Sequence, residues 1–254
     1  MCTIVILRRP GHDWPLILAA NRDEMADRSW QPPGRHWPDR VEVTAGLDEL
    51  AGGTWLGLND WGVIAGILNR PGSLGPDPVL RSRGELPLEA MDHAEAAVAA
   101  DALAAIDPAS YRSFNMVIAD ATQAFWLCSP VDMGDGGGAV RAEAIPEGLS
   151  MITAHDLNDD ASPRIKHYKP LFEAAPPPDV ETGDWTAWQA LMGDRRNDAP
   201  DEEKASMTIT TPTGFATVSS SLLALPGPDR HEVKPRWLLA PGRPDKTDYE
   251  AVEL

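Results

Sequence analysis

Cysteine, basic residues and long apolar runs are all scarce in this chain of 254 residues. Two cysteines, Cys2 and Cys128, are too few for a disulfide scaffold, and neither has a neighbour at metal-site spacing. No apolar run approaches the roughly 18–20 residues that span a bilayer, so no integral membrane segment is expected. The N-terminal run Ile4 to Leu7 stops at Arg8 and Arg9, too short for the core of a signal peptide, and a cytoplasmic location is the expectation. Lys and Arg number 22 against 39 Asp and Glu, a formal charge of −17. That charge repels phosphate backbones, which sets nucleic acid aside as a partner. There is no internal repeat and no clear linker.

What is present reads as strands in hairpins with helices grouped between them. The runs 3–7 and 16–20 are aliphatic or β-branched and are separated by RRPGHDWP, a hairpin connection. The Pro- and Trp-rich stretch 29–40 is expected to be a surface loop. Residues 53–68 give two further strands with a turn at Asn59-Asp60. An Ala-rich helix is expected within 82–107, with Leu88, Met91, Ala94, Val98 and Ala102 at helical spacing. Strands follow at 114–120, 124–129 and 149–153, and helices at about 163–174 and 185–193. The loop 194–204 is solvated. SMTITT (206–211), FATVSSSLLAL (215–225) and EVKPRWLLA (232–240) read as the last strands. The class is α+β with antiparallel sheets.

The polar ending of the second strand, Asn21-Arg22-Asp23-Glu24, carries the chemistry. In an antiparallel hairpin of 3–7 with 16–20, residues whose numbers sum to about 24 lie opposite one another. Cys2 then lies near residues 21 to 23. Alternation sends Asn21 and Asp23 to one face, which is expected to be the face towards Cys2, and Arg22 and Glu24 to the other. Removal of Met1 would leave a thiol and an α-amine on one residue. An amine titrating near ~7.7–8 serves as base to a thiol near ~8.5, a compact activated nucleophile. Asp23 would orient the amine and Arg22 would favour the thiolate.

The segments MCTIVIL, AANRDE, AGGTWLGLNDWG, LNRPG, SRGEL and FNMVIAD together resemble the NRDE family, also called the transport and Golgi organization 2 family. That family resembles N-terminal-nucleophile hydrolases of the choloylglycine hydrolase and penicillin V acylase group. The resemblance implies a single domain over 1–254 with a four-layer αββα sandwich of two antiparallel sheets. It implies Cys2 as nucleophile, Asn21 and Asp23 beside it, Arg22 in place of the acylase Arg that would fall at Ala20, and Asn69 as an oxyanion donor. It also marks two departures. Ala154 or His155 stands where an Asn is expected, and Val218 where an Arg is expected before Ser219 and Ser220.

Each of these residues also has a plain structural reading. Asn21 to Glu24 suit a strand-end salt-bridge cluster, Asn69 a turn before Arg70-Pro71-Gly72, and Cys128 a buried hydrophobe. HDLNDD (155–160) lacks the glycine and distal Glu of an EF-hand, so no metal is expected there. GDGGG (134–138) lacks a following Lys and reads as a hairpin tip. No G-x-S-x-G occurs, which argues against a serine esterase. Trp30, Trp37 and Trp61 would wall an apolar pocket. Two functions follow: a cysteine hydrolase of a small amide or acyl substrate that needs no cofactor, or a non-catalytic carrier of haem or lipid. In the second, Cys2 or His155 would be the ligand to haem iron.

Overall fold

The computed structural model describes residues 2–75, 77–129, 138–195 and 205–254. The chain opens with β1 (Thr3–Arg8) and β2 (Leu16–Met25). Seven strands follow: β3 (Trp30–Gly34), β4 (Val43–Asp48), β5 (Leu56–Asn59), β6 (Ile64–Asn69), β7 (Phe114–Ala119), β8 (Ala124–Cys128) and β9 (Arg141–Ala144). Helices α1 (Leu86–Met91) and α2 (Ala96–Ala104) lie between β6 and β7. Then come β10 (Gly148–Ile152), α3 (Pro163–Ala174), α4 (Thr186–Met192), β11 (Phe215–Leu225), β12 (Arg236–Ala240) and β13 (Glu250–Ala251). These elements form two compact units. The first combines Met1–Arg28 with Pro146–Glu253, and the second is built mainly from Ser29–Ile145.

The first unit holds an antiparallel sheet in the order β10-β1-β2-β11-β12-β13. The β1–β2 register runs from Thr3 opposite Asn21 to Arg8 opposite Leu16, a constant sum of 24. Its turn closes through Arg9 N–H to Pro15 O at 2.8 Å. On the face carrying Val5, Ile17, Ala19, Met151, Leu222 and Ala224, the sheet packs against Ile165, Tyr168 and Phe172 of α3 and Trp188 and Met192 of α4. Helix α3 starts where Ser162 caps it, its hydroxyl accepting from Ile165 N, with Pro163 at the first helical position. The segment 206–211 is not a strand and makes only an isolated bridge, Thr210 with Ala216. Its backbone is satisfied otherwise: Thr208 N–H donates to Asp194 O, and Ile209 N–H to Thr217 Oγ1.

The second unit is a seven-stranded antiparallel meander, β3 through β9 in sequence order. Contrary to expectation, residues 30–34 of the Pro-rich stretch form strand β3. They lie at the sheet edge, and the register against β4 shifts between Gln31 and Gly34, around Pro32 and Pro33. An edge strand needs donors on one side only, so prolines fit there. The Ala-rich helix is divided in two. Asn59 Nδ2 donates at 2.8 Å to both Met91 O and His93 O, holding the break between α1 and α2. The break resets the helical phase. Ala96, Ala99, Ala100 and Leu103 are buried, while the expected Ala94, Val98 and Ala102 are exposed. Strand β9 was not foreseen, nor β4. The turn after Asn59 uses Gly62 at a φ of 86°, a left-handed conformation that a side chain resists.

Two of the segments that carry the resemblance meet in this unit. Thr54 N–H donates to Gly84 O at 2.8 Å, and a Cβ on Gly53 would land on the Gly84 peptide. Gly-Gly-Thr and Ser-Arg-Gly therefore belong to one backbone crossing. All but residue 138 of the expected tip at 134–138 and most of the loop 194–204 lie outside the described residues.

Candidate active site at the mouth of the first hairpin

Cys2 lies just before β1, at the open end of the β1–β2 hairpin. Its Sγ sits 3.4 Å from Asp23 N and 3.6 Å from Asp23 O. The thiol thus meets β2 through the peptide of Asp23. The expectation that Asn21 and Asp23 share a face with Cys2 is corrected by the register. A constant sum of 24 pairs odd with odd, and opposed residues project to the same side, so Thr3 shares their face. Continued one step, the same register sets Cys2 opposite Arg22, which is buried.

On the face of Thr3, a buried polar cluster closes around Asp23. Arg164, the second residue of α3, places Nη1 at 3.1 Å from Asp23 Oδ2 and 2.6 Å from Thr3 Oγ1. Thr217 of β11 donates its hydroxyl to Asp23 Oδ1 at 2.6 Å. The same Thr217 oxygen accepts from Ile209 N–H at 3.0 Å, which directs its proton towards the carboxylate. Arg164 and Asp23 side chains are 2% and 0% exposed, so this ion pair is out of water. Asn21 turns its amide to the loop ends, donating at 3.0 Å to Met192 O and Met207 O. Burial pushes the Cys2 thiol above its ordinary range, and the Asp23 charge adds to this, while Arg22 opposes it.

The other expected residues fall as follows. Glu24 is partly buried and lies within ion-pair range of Arg28 at 3.9 Å. Ala154 is buried just beyond β10, and His155 beside it is partly exposed, with Nδ1 at 3.8 Å from Asp159. Val218 is the extra residue of a bulge, where β11 steps from Thr217 opposite Asp23 to Ser219 opposite Arg22. In the 155–160 run, Asn158 Oδ1 accepts from Met151 N–H of β10 and Asp159 from Ala161 N–H, so the run's polar groups serve neighbouring backbone. Sequence reasoning missed Arg164, Thr217 and Thr3. A signal existed for Arg164 alone, since a cation in the first turn of a helix opposes the helix dipole.

In the second unit, Asn69 ends β6 opposite Phe114 and is partly buried. Trp30 packs edge-on against Trp55 with ring centroids 5.5 Å apart, Trp37 donates to Gly52 O, and Trp61 stands exposed on the β5–β6 turn. Cys128 is buried as expected, but it is not merely a hydrophobe. Arg70 Nη1 approaches its Sγ at 2.9 Å and Asn115 Oδ1 at 2.7 Å.

A family model for transport and Golgi organisation 2 matches residues 1–225. The chain belongs to that family. The mouse transport and Golgi organization 2 homolog is 42% identical over 76 residues, which is 28% of this chain and 26% of the mouse protein. The human homolog is 33% identical over 114 residues, 43% of this chain and 40% of the human protein. The matched stretches thus span about a quarter to two fifths of the curated relatives. Among solved structures, penicillin V acylase from Agrobacterium tumefaciens superposes with a TM-score of 0.54 at 13% identity, covering 100% of this chain and 86% of the acylase. A variant of conjugated bile acid hydrolase from Clostridium perfringens gives 0.51 at 12% identity, covering 100% and 97%. The family member described here therefore has the fold of the N-terminal-nucleophile hydrolases: α+β, with two antiparallel sheets and four α-helices among the described residues. No helix among the described residues is long and apolar enough to cross a membrane.

Proposed function

We propose that this protein is an N-terminal cysteine hydrolase of a small non-peptide amide or acyl compound with an apolar part. The observation that carries the reading is the seat of Cys2, with Sγ 3.4 Å from Asp23 N, at the mouth of the hairpin that opens the chain. With Met1 removed, the α-amine of Cys2 takes the thiol proton as Sγ bonds to the substrate carbonyl carbon. The C–N bond then breaks, and the proton passes to the leaving amine. Water attacks the thioester, releasing the acid and restoring the thiol and the amine. The raised thiol fits this scheme, since the amine acts during the attack and no standing thiolate is needed.

The test joins two measurements. Intact-protein mass spectrometry should find the chain without Met1. A panel of acyl amides should show turnover that falls by about a thousandfold or more in Cys2→Ala, in line with losing a covalent nucleophile. Retention of Met1 on active protein would overturn the mechanism.

One observation favours a second reading, a non-catalytic carrier of haem or lipid. The acylase pattern is broken at two positions of this unit, where Ala154 is buried and Val218 occupies a bulge. Hemin titration then separates the two. A carrier shifts the Soret band and loses the shift in Cys2→Ala or His155→Ala, whereas a hydrolase gives turnover with no such shift.

A further inference from the structure

A buried guanidinium in the first turn of a helix needs a reason. Arg164 sits at the second position of α3, where backbone N–H groups favour an anion and not a cation. It is almost wholly out of water, a costly place for a charge. Buried ion pairs contribute little to stability compared with apolar packing, so fold stability alone does not account for it. Its contacts do. One nitrogen, Nη1, bridges the Asp23 carboxylate and the Thr3 hydroxyl, residues on the two strands that meet beside Cys2. Thr217 completes the cradle from β11.

We propose that Arg164 is a positioning residue for the Cys2 site, pinning the ends of β1 and β2 together and offsetting part of the Asp23 charge that the thiol meets. The assignment deepens the nucleophile reading and rests on it for its purpose. The cation comes from α3, a different element from either position, 20 or 218, where the resemblance led one to look for an Arg. The charges that act on the thiol are those of Asp23 and Arg22 from β2 and the α-amine of the chain start, with Arg164 from α3 paired to Asp23. From β11 the neighbours of Asp23 and Arg22 across the ladder are the hydroxyl residues Thr217 and Ser219. Without Arg164, the Asp23 carboxylate acts on the thiol uncompensated, and the thiol becomes harder to ionise.

The test is the rate of Cys2 alkylation against pH, read by peptide mass mapping so that Cys128 is counted separately. Arg164→Met should slow Cys2 alkylation at pH 8 by about tenfold, the equivalent of one pH unit in the profile. Arg164→Lys, which keeps the charge, should stay within about threefold of the parent, as should Arg164→Met combined with Asp23→Asn. Asp23→Asn alone removes the carboxylate that raises the thiol and should speed alkylation. A merely structural role moves none of these in opposite directions. The proposal is overturned if folded Arg164→Met keeps the parent profile, or if Arg164→Lys shifts as far as Arg164→Met. Should Arg164→Met not fold, Asp23→Asn decides, and an unchanged or slower rate overturns the proposal. Alkylation needs no substrate, so absence of amide turnover counts against the hydrolase reading alone and leaves this result standing.

Discussion

Single side chains hold this structure where its backbone turns away from regular pairing. Asn59 is the clearest case. Its amide nitrogen serves two carbonyls at the α1–α2 break, and its oxygen accepts from Val63 N–H at 2.8 Å. Asn59→Ala strands three backbone groups at once, two of them in fully buried bonds. Chemical denaturation should show a loss of about 2–4 kcal/mol with an unchanged slope. At this scale the sequence was partly legible. The sum-of-24 register followed from two apolar runs and a turn, because pairing is set by geometry common to all hairpins. Placing Cys2 with Asn21 and Asp23 failed on parity, since the strand period of two admits no compromise. Arg164 was missed for another reason, since its one local mark is an ill-placed charge in the first turn of α3. It approaches Asp23 across 141 residues of chain, and nothing local marks an Arg as buried.

Elements here start and stop on side-chain signals of unequal clarity. Ser162-Pro163 announced α3 plainly. Helix α2 starts without a side-chain cap of its own at Glu95, and receives one from outside: Asp120, beyond β7, accepts from Ala96 N–H at 2.9 Å. Burial works against the Asp120 carboxylate, but hydrogen bonds from Thr122, Ala96 and Gln123 outweigh it and lower its pKa. Asp120→Ala should cost about 1 kcal/mol in thermal or denaturant unfolding. The sign for pH follows from the lowered value. The contribution is complete above the ordinary carboxylate range and is lost as pH falls through the lower folded value. Asp120→Asn should therefore flatten the acid limb of the stability profile below about pH 4. Strand β3 escaped the sequence because two prolines outweigh any strand pattern, while an edge position tolerates them. The run 206–211 erred the opposite way. It alternates like a strand, yet its donors are taken by Asp194 O and the Thr217 hydroxyl.

Across the whole molecule, the first unit is discontinuous. Strand β2 lies between β1 and β11, so the Asp23 anchor Thr217 comes from 194 residues further along the chain. The second unit needs mainly its own continuous stretch, Ser29–Ile145. A chain stopped at Pro212 lacks β11, β12 and β13, and its β2 has one open edge. Its Cys2 should be alkylated as fast as in denaturant, while the full chain is protected; equal protection in both would show that β11 is dispensable for the site. This order of parts has a consequence in time. Synthesis at ~5–20 residues per second places about 10–45 seconds between the emergence of Cys2 and that of the end of β11. The residue made almost first is housed almost last. Throughout that interval the amino terminus trails free of its final sheet while the ribosome is still at work. The trimming of Met1 that the nucleophile reading requires belongs to that window, before β11 docks and the door closes.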